Sequence, residues 1–517
     1  MDSPALRDKQ KMLDDIVAQN INARFKIGQL CWRCRYVLFW PTLKILKRRR
    51  HYSTYNKLVG SAFSGCHICS LLLENLEGFQ TPFYVKILNQ RSLFKSMLEE
   101  LGSGKYLHRY TIKIEPHNGL ISLYPVDVMA ISSIYIEAMS SISTASDATF
   151  KLAHQWIRQC ILGHDTCNTL EDTSCSLPTR LLDLQKVCVS DRHGHVQLRA
   201  TQTVLSDGNA TNVTYVTLSH RWGDVMPLRL LQGPDPGRTV EYLETGVSLG
   251  ELPPTFRDAV IIAKRLGFEY LWIDSLCIVQ DSVTDWTRES SIMGDIYRGS
   301  AFTIAALGAT DSNGGCFATR NPLFYASCYL QKINQMYLRH ENRDFHLAGE
   351  LLKRGWVAQE RILTPRTLFY GKFGIAWECK ELQSTAEGPD GFGGNPKSDF
   401  ARLTSPFDDD LDLSNPSKTT TEFYKAWTDL IQSYSKTKLT KREDKLAALQ
   451  GLIHRISQSA HLTPVAGLWK EFLPVELLWY TSKDYRETRP PSTIAPSWSW
   501  ASVDTPRLTV IGESKGH

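Results

Sequence analysis

Residues 215–224 read Tyr215-Val216-Thr217-Leu218-Ser219-His220-Arg221-Trp222-Gly223-Asp224, an apolar, β-branched run that breaks into a polar cluster. The run suits a buried strand, and a polar cluster at the carboxyl end of a strand is where open α/β sheets place their ligands. Downstream, Leu252 to Leu266 carries prolines at its start, an apolar stripe of Phe256, Val260, Ala263 and Leu266, and Gly267 as its stop. That is the pattern of an amphipathic helix. Tyr270-Leu271-Trp272-Ile273-Asp274 then reads as a short apolar strand ending in a carboxylate. Strand, helix and strand make one βαβ unit, so the expected fold class is α/β around a mostly parallel sheet.

The next helix is expected to start with Asp285 as its cap and run to Arg298, with Trp286, Ser290, Met293, Ile296 and Tyr297 on one face. Glu289 falls inside that apolar stripe. An ionised carboxylate there must be paired or have its pKa raised, and both conditions occur at catalytic sites and in structural ion-pair networks. Ala301 to Leu307 reads as a further buried strand. No GxGxxG follows a strand and no GxxxxGK[ST] occurs, so neither a dehydrogenase-type dinucleotide fold nor a P-loop is indicated. A Ser-His-Asp hydrolase built on Ser219, His220 and Asp274 is disfavoured. Adjacent strand residues point to opposite faces, and the GxSxG elbow is missing.

The 517 residues, 42% hydrophobic and 22% charged, are enough for more than one packed core and exclude a disordered chain. A net charge of +5 from 59 basic and 54 acidic residues is too weak an excess for phosphate contacts to dominate binding. No nucleic-acid partner is expected. The opening MDSPALRDKQKMLDDIVAQN lacks the basic and apolar regions of a secretory signal, and the apolar run Tyr36 to Leu46 is broken by Pro41 and Lys44. The expectation is a cytoplasmic protein with no transmembrane segment. Composition marks four parts: a cysteine-bearing region at 1–190, the α/β part at 191–380, a Gly/Pro/Ser/Asp-rich flexible linker or loop at 381–421, and a helical, aromatic-rich part at 422–517.

In a cytoplasmic chain the 12 cysteines are thiols or metal ligands rather than a disulfide framework. Cys31-Trp32-Arg33-Cys34 and Cys66-His67-Ile68-Cys69 are two CxxC pairs compatible with a closed, four-thiolate structural zinc site. Cys160, His164 and Cys167 give another metal-like spacing, with Cys175 or Cys188 as candidates for a further ligand. Buried cysteines beside a helix-capping histidine would look the same.

Three blocks carry a family resemblance: YVTLSHRWGD (215–224), the run from LPPTFRDAV to AFTIAA (252–306), and RGWVAQERILTPRTLFYG (354–371). In this order they resemble the heterokaryon-incompatibility (HET) domain of filamentous fungi. The flanking segments SAFSGCHICSLL, WIRQCILGHDTC, LPTRLLDL, LTKREDKLAALQGL, GLWKEFLPVELLWY and APSWSWAS also look like those of the family. The resemblance implies a role in allorecognition, in which fusion of incompatible strains triggers programmed cell death. It also implies self-association and an incompatibility partner.

The HET domain has been likened to the TIR domain, a flavodoxin-like parallel sheet of death-signalling proteins. Tyr215 to Asp224 resembles the opening strand and loop of plant TIR domains. Trp286 and Glu289 are similar to a TIR Trp-x-x-Glu whose glutamate is needed for NAD cleavage. By that likeness Glu289 is the candidate catalytic carboxylate and NAD the candidate substrate; Glu360, in the third quoted block, is the runner-up because its neighbour Arg361 favours an ion pair there. A carboxylate can stabilise the oxocarbenium-like state when the cationic nicotinamide leaves. Arg221 suits a phosphate and Trp222 a stacked ring, while Ser219, His220, Asp224, Asp274 and Trp286 would line the same rim. The alternative reading is a non-enzymatic module acting by self-association and partner recruitment.

Overall fold

The computed structural model describes residues 29–34, 49–52, 55–74, 83–89, 110–115, 119–127, 133–168, 175–189, 193–208, 211–223, 226–233, 240–320, 328–330, 336–340, 349–386, 395–404, 417–481, 495–503 and 506–507. They fall into two compact units. The first takes residues 1–152, 318–346 and 385–390, and the second 153–317, 347–384 and 391–517. Numbering elements along the whole chain, the first unit holds strands β1 (Arg49–Tyr52), β2 (Phe83–Asn89), β3 (Tyr110–Glu115) and β4 (Gly119–Asp127), joined by β12 (Cys328–Leu330) and β13 (Met336–His340). They form an antiparallel sheet in the order β1-β2-β3-β4-β13-β12. Helices α1 (Tyr55–Phe63) and α2 (His67–Glu74) make a hairpin whose corner is Gly65, at φ 82°. A side chain is strained there. The Gly65 N–H donates to Ala62 O at 2.9 Å and the Cys66 N–H to Ser61 O at 3.1 Å, which closes α1 and sets Cys66 just ahead of α2. Helix α3 (Ser133–Met139) follows, and α4 (Asp147–Gly163) passes into the second unit at Ala153.

After the short helix α5 (Asp165–Asn168), the second unit builds one large mixed sheet. Its strands are β5 (Arg180–Asp183), β6 (Val187–Cys188), β7 (His193–Ala200), β8 (Val216–Ser219), β9 (Val247–Ser248), β10 (Tyr270–Trp272), β11 (Thr303–Ala305), β14 (Arg366–Tyr370), β15 (Ile375–Cys379) and β16 (Gln383–Thr385). The order is β16-β15-β14-β11-β8-β10-β5-β7-β6, with β9 also on β7. Among the described residues β10, β8, β11 and β14 pair in parallel, with Leu271 opposite Val216, Thr303 opposite Thr217 and Ile304 opposite Leu368. The pairs β10–β5, β5–β7, β6–β7, β7–β9 and β14–β15 are antiparallel. A mostly parallel sheet is therefore corrected to a mixed sheet with a parallel centre. The sequence patterns mark buried strands but not their direction.

All four residues of β8 are buried, as befits a central strand covered on both faces. Helix α6 (Pro254–Arg265) connects β8 to β10 where the proline-led stripe predicts it, burying Phe256, Ala259, Val260 and Ala263. Gly267, at φ 88°, ends it. A one-turn helix α7 (Asp274–Cys277) begins at the carboxyl end of β10. The single helix expected over 285–298 is instead two, α8 (Val283–Ser291) and α9 (Met293–Arg298), broken at Ile292. Ser290 and Ser291 turn their hydroxyls back onto Thr287 O and Arg288 O, the competition that weakens helices at serine pairs. The cap of α8 is Ser282, not Asp285, because the Asp285 carboxylate is held by Arg180 and the Val279 N–H.

Helix α10 (Val357–Leu363) leads into β14. The stretch 381–421, which reads as a linker, holds β16 and a helix, α11 (Pro396–Leu403), capped by Asn395 and burying Lys397 and Leu403. Its Asn-Pro start, a loop signal in composition, is here a cap followed by proline at the first helical position. Residues 387–394 and 405–416 of that stretch lie outside the described ones. Helices α12 (Lys418–Ser435) and α13 (Gln450–Ala460) then pack around a core of Phe423, Trp427, Ile431, Leu452, Ile456, Trp469, Phe472 and Trp500. Among the described residues no helix is long and apolar enough to cross a membrane.

Candidate functional site

Ser219 is the last residue of β8, at the carboxyl edge of the parallel centre. Its hydroxyl donates to Glu360 Oε2 at 2.5 Å, joining that edge to the first turn of α10. Glu360 is 4% exposed. Burial pushes its carboxyl up to about 7, against the opposing pull of the Arg354 charge and the Ser219 and Tyr297 hydroxyls. At neutral pH this group is close to half ionised, the condition of a carboxyl able either to hold or to give up a proton.

His220 follows Ser219 in the chain, 1% exposed and edge-on to Phe256 with ring centroids 5.0 Å apart. Neither ring nitrogen has a hydrogen-bond partner, and Nδ1 stands 3.7 Å from Asp274 Oδ1. Burial drives its pKa down to about 4 although Asp274 favours the charged form, so the ring is neutral at physiological pH. Asp274, at the start of α7, accepts from the Ser275 N–H at 2.7 Å and from Trp222 Nε1 at 3.1 Å. Trp222 and Arg221 are half-buried at the rim. Gly223 is bound to its place by φ 73° and by Asp311, whose Cβ lies 2.4 Å from where a side chain would start. Asp224 lies outside the described residues. Two groups the sequence reading did not place complete the cluster. The Arg354 guanidinium donates to His220 O, and Tyr297 reaches Glu360 and, at 3.5 Å, Leu218 O. Arg354 opens the third quoted block and Tyr297 sits on the apolar stripe of residues 285–298, so position in those blocks was the available signal.

Glu289 belongs to a different neighbourhood. It is fully buried. Its carboxylate accepts from the Thr179 N–H at 3.3 Å and from the Thr179 hydroxyl, with Arg288 Nε 3.3 Å away. Next to it the Arg180 guanidinium grips Asp285 with two bonds, of 3.0 and 2.8 Å. Burial alone would raise the Asp285 carboxyl, but Arg180 and the Val279 N–H hold it below the usual carboxylate range. Trp286, one turn before Glu289, is 37% exposed. The structure thus gathers Ser219, His220, Trp222, Asp274 and Glu360, and sets Glu289 in a network joining α8 to the approach of β5.

Residues 215–360 match the family model described as Heterokaryon incompatibility protein (HET). The chain carries a HET domain. No curated protein and no solved structure matches the chain. The bounds of the match bracket the site: the match opens at Tyr215, on the strand that presents Ser219, and closes at Glu360, the hydrogen-bond partner of Ser219. Arg361, just past that bound, does not pair with Glu360. Its Nε donates to Glu378 Oε1 at 3.0 Å, and that pairing holds the Glu378 carboxyl low in spite of full burial.

Outside the HET domain the two N-terminal CxxC pairs converge as their spacing predicts. The Sγ atoms of Cys31, Cys34, Cys66 and Cys69 all lie within 4.8 Å of one another. Those of Cys34 and Cys69 are 3.6 Å apart, and those of Cys31 and Cys69 3.8 Å. A tetrahedron of four sulfurs about 2.3 Å from zinc has edges of about 3.8 Å, so the donor set fits that metal. The Cys31 N–H points at Cys66 Sγ at 3.2 Å, a contact that favours the thiolate.

Proposed function

We propose that the chain acts in fungal heterokaryon incompatibility, with its HET domain hydrolysing the nicotinamide–ribose bond of NAD through Glu360 rather than Glu289, and with death of the mixed cell as the outcome. The observation that carries this reading is the buried Glu360 carboxyl, pushed up to about 7 and hydrogen-bonded to Ser219 at the carboxyl edge of parallel strands. Once ionised it can stabilise the oxocarbenium-like state, and the cationic nicotinamide needs no separate acid. Neutral His220 and the half-buried Trp222 offer an uncharged ring and a stacking face for the base. Across the sheet the four parallel strands, numbered as they occur in the chain, take the order second, first, third, fourth. That is the start of the flavodoxin-like order and supports the TIR likeness. Cytoplasmic location, self-association as the activating step and recognition of an incompatible product by the flanking parts belong to the same proposal, as does a closed structural zinc at Cys31, Cys34, Cys66 and Cys69.

The second reading, a recruiting module without catalysis, has its own observation. Ser219 and Glu360 are only 3% and 4% exposed, and the candidate Glu289 is engaged by Thr179 and Arg288. Nicotinamide release by the purified full chain at high concentration separates the readings, with Glu360→Gln and Glu289→Gln compared after a check of folding. Release that disappears in Glu360→Gln and survives in Glu289→Gln supports the first. Release lost only in Glu289→Gln overturns the choice of carboxylate, and none from wild type, even when forced to cluster, favours the module.

A further inference from the structure

A second cluster of metal-ligating side chains lies in the other unit of the chain. Cys160 near the end of α4, His164 after it, Cys167 on α5 and Cys379 at the end of β15 are all buried, and their ligating atoms lie within 4.8 Å of one another. His164 Nδ1 is 3.4 Å from Cys379 Sγ and 3.8 Å from Cys167 Sγ, so the imidazole presents its edge to the sulfurs. The i, i+4 spacing of Cys160 and His164 sets both on one side of a helix end, and α5 turns back to deliver Cys167. The fourth member is neither Cys175 nor Cys188, the candidates nearest in sequence. Cys188 is exposed, and the Cys175 side chain packs at Gly299.

The surroundings are those of a thiolate cluster rather than of ordinary core cysteines. Arg366 Nε donates to Cys160 Sγ at 3.1 Å, and the Leu382 N–H to Cys379 Sγ at 3.2 Å. Arg366 is further fixed by Asn168 Oδ1 at 2.8 Å. Three thiolates and one neutral imidazole around a dication leave one negative charge, and a buried guanidinium beside a sulfur offsets it. We propose that Cys160, His164, Cys167 and Cys379 bind a closed, non-catalytic zinc ion, with three thiol protons released on binding and the Arg366 guanidinium balancing the charge. Three soft sulfurs and one nitrogen in a dry site suit zinc over harder divalent ions. The ion would tie the α4–α5 corner to β15, which pairs with β14, the last of the parallel strands.

The test is the metal content of the full chain, purified under reducing conditions, with each cluster altered separately: Cys31→Ser with Cys34→Ser in one variant, and Cys379→Ser in the other. Two zinc ions per chain in wild type and one in each folded variant is the expected result. Zinc K-edge absorption on wild type needs no variant, and the proposal predicts a mean shell of about 3.5 sulfur and about 0.5 nitrogen neighbours. A purely sulfur shell, a zinc content unchanged by Cys379→Ser, or a disulfide among Cys160, Cys167 and Cys379 in the native mass spectrum overturns it. Loss of zinc from the four-cysteine cluster alone leaves one ion with a mixed sulfur and nitrogen shell, so failure there is told apart from failure here.

Discussion

Glu360 and His220 have opposite proton preferences, and the pH dependence of stability follows from that. Glu360, raised to about 7, favours the folded state fully below its unfolded pKa, and that contribution is lost as pH rises through 7. His220, lowered to about 4, contributes above its unfolded pKa, and its share is lost as pH falls toward 4. Over the mildly acidic range the two slopes oppose each other. Glu360→Gln removes one and leaves the other, so the variant should lose stability on acidification more steeply than wild type. The gap between them should change by up to about 3 kcal/mol between pH 4.5 and pH 7. Urea midpoints across that range measure it, and parallel curves would mean that Glu360 has an ordinary pKa. The sequence ranked Glu360 behind Glu289 because Arg361 follows it directly. Arg361 turns instead to Glu378, a residue that no local pattern links to it. The rim of Ser219, His220, Trp222 and Asp274 was legible because strand ends mark it in the chain itself.

Glu289 shows at the scale of elements why a buried carboxylate in an apolar stripe reads two ways. It carries the Thr179 backbone and hydroxyl across to α8, beside the Arg180–Asp285 pair. Glu289→Ala strands those donors in a dry site, with an expected cost of about 3 kcal/mol, read as a lower urea midpoint. An unchanged midpoint would remove the bracing role. Where α9 crosses α13, two glycines touch. A Cβ on Gly294 would lie 2.9 Å from Gly451 Cα and 3.1 Å from Leu363 Cδ1. Backbone cannot yield there, so Gly294→Ala should destabilise by about 2 kcal/mol in spite of alanine's better helix propensity. Gly60→Ala in α1, where nothing lies within 4 Å, should instead stabilise by up to about 1 kcal/mol. Helix α6 was legible because its start, stripe and stop are all local. The break at Ile292 and helix α11 were not, since serine back-bonding and burial of Lys397 depend on what the chain meets after folding.

Across the whole molecule, long-range partners are what the sequence hides. The four-cysteine cluster was legible because each CxxC announces itself, whereas Cys379 is a solitary thiol at the end of a strand. Between Cys167 and Cys379 lie β5 through β14, and with them all four parallel strands. An ion held by both ends closes a loop around most of that sheet. Closing a long loop removes conformational freedom from the unfolded chain, a contribution that grows slowly with loop length and vanishes when the ion is stripped. Trp272 and Trp377 are both fully buried in the enclosed sheet or at its edge, and their fluorescence reports its unfolding. A strong chelator should therefore lower the urea midpoint of wild type followed by fluorescence. In Cys379→Ser the midpoint should start lower and no longer respond to chelation, even though the four-cysteine cluster of the first unit still surrenders its metal. An equal response in both proteins would place the metal's stabilising effect on the four-cysteine cluster and deny the second site any part in holding the sheet.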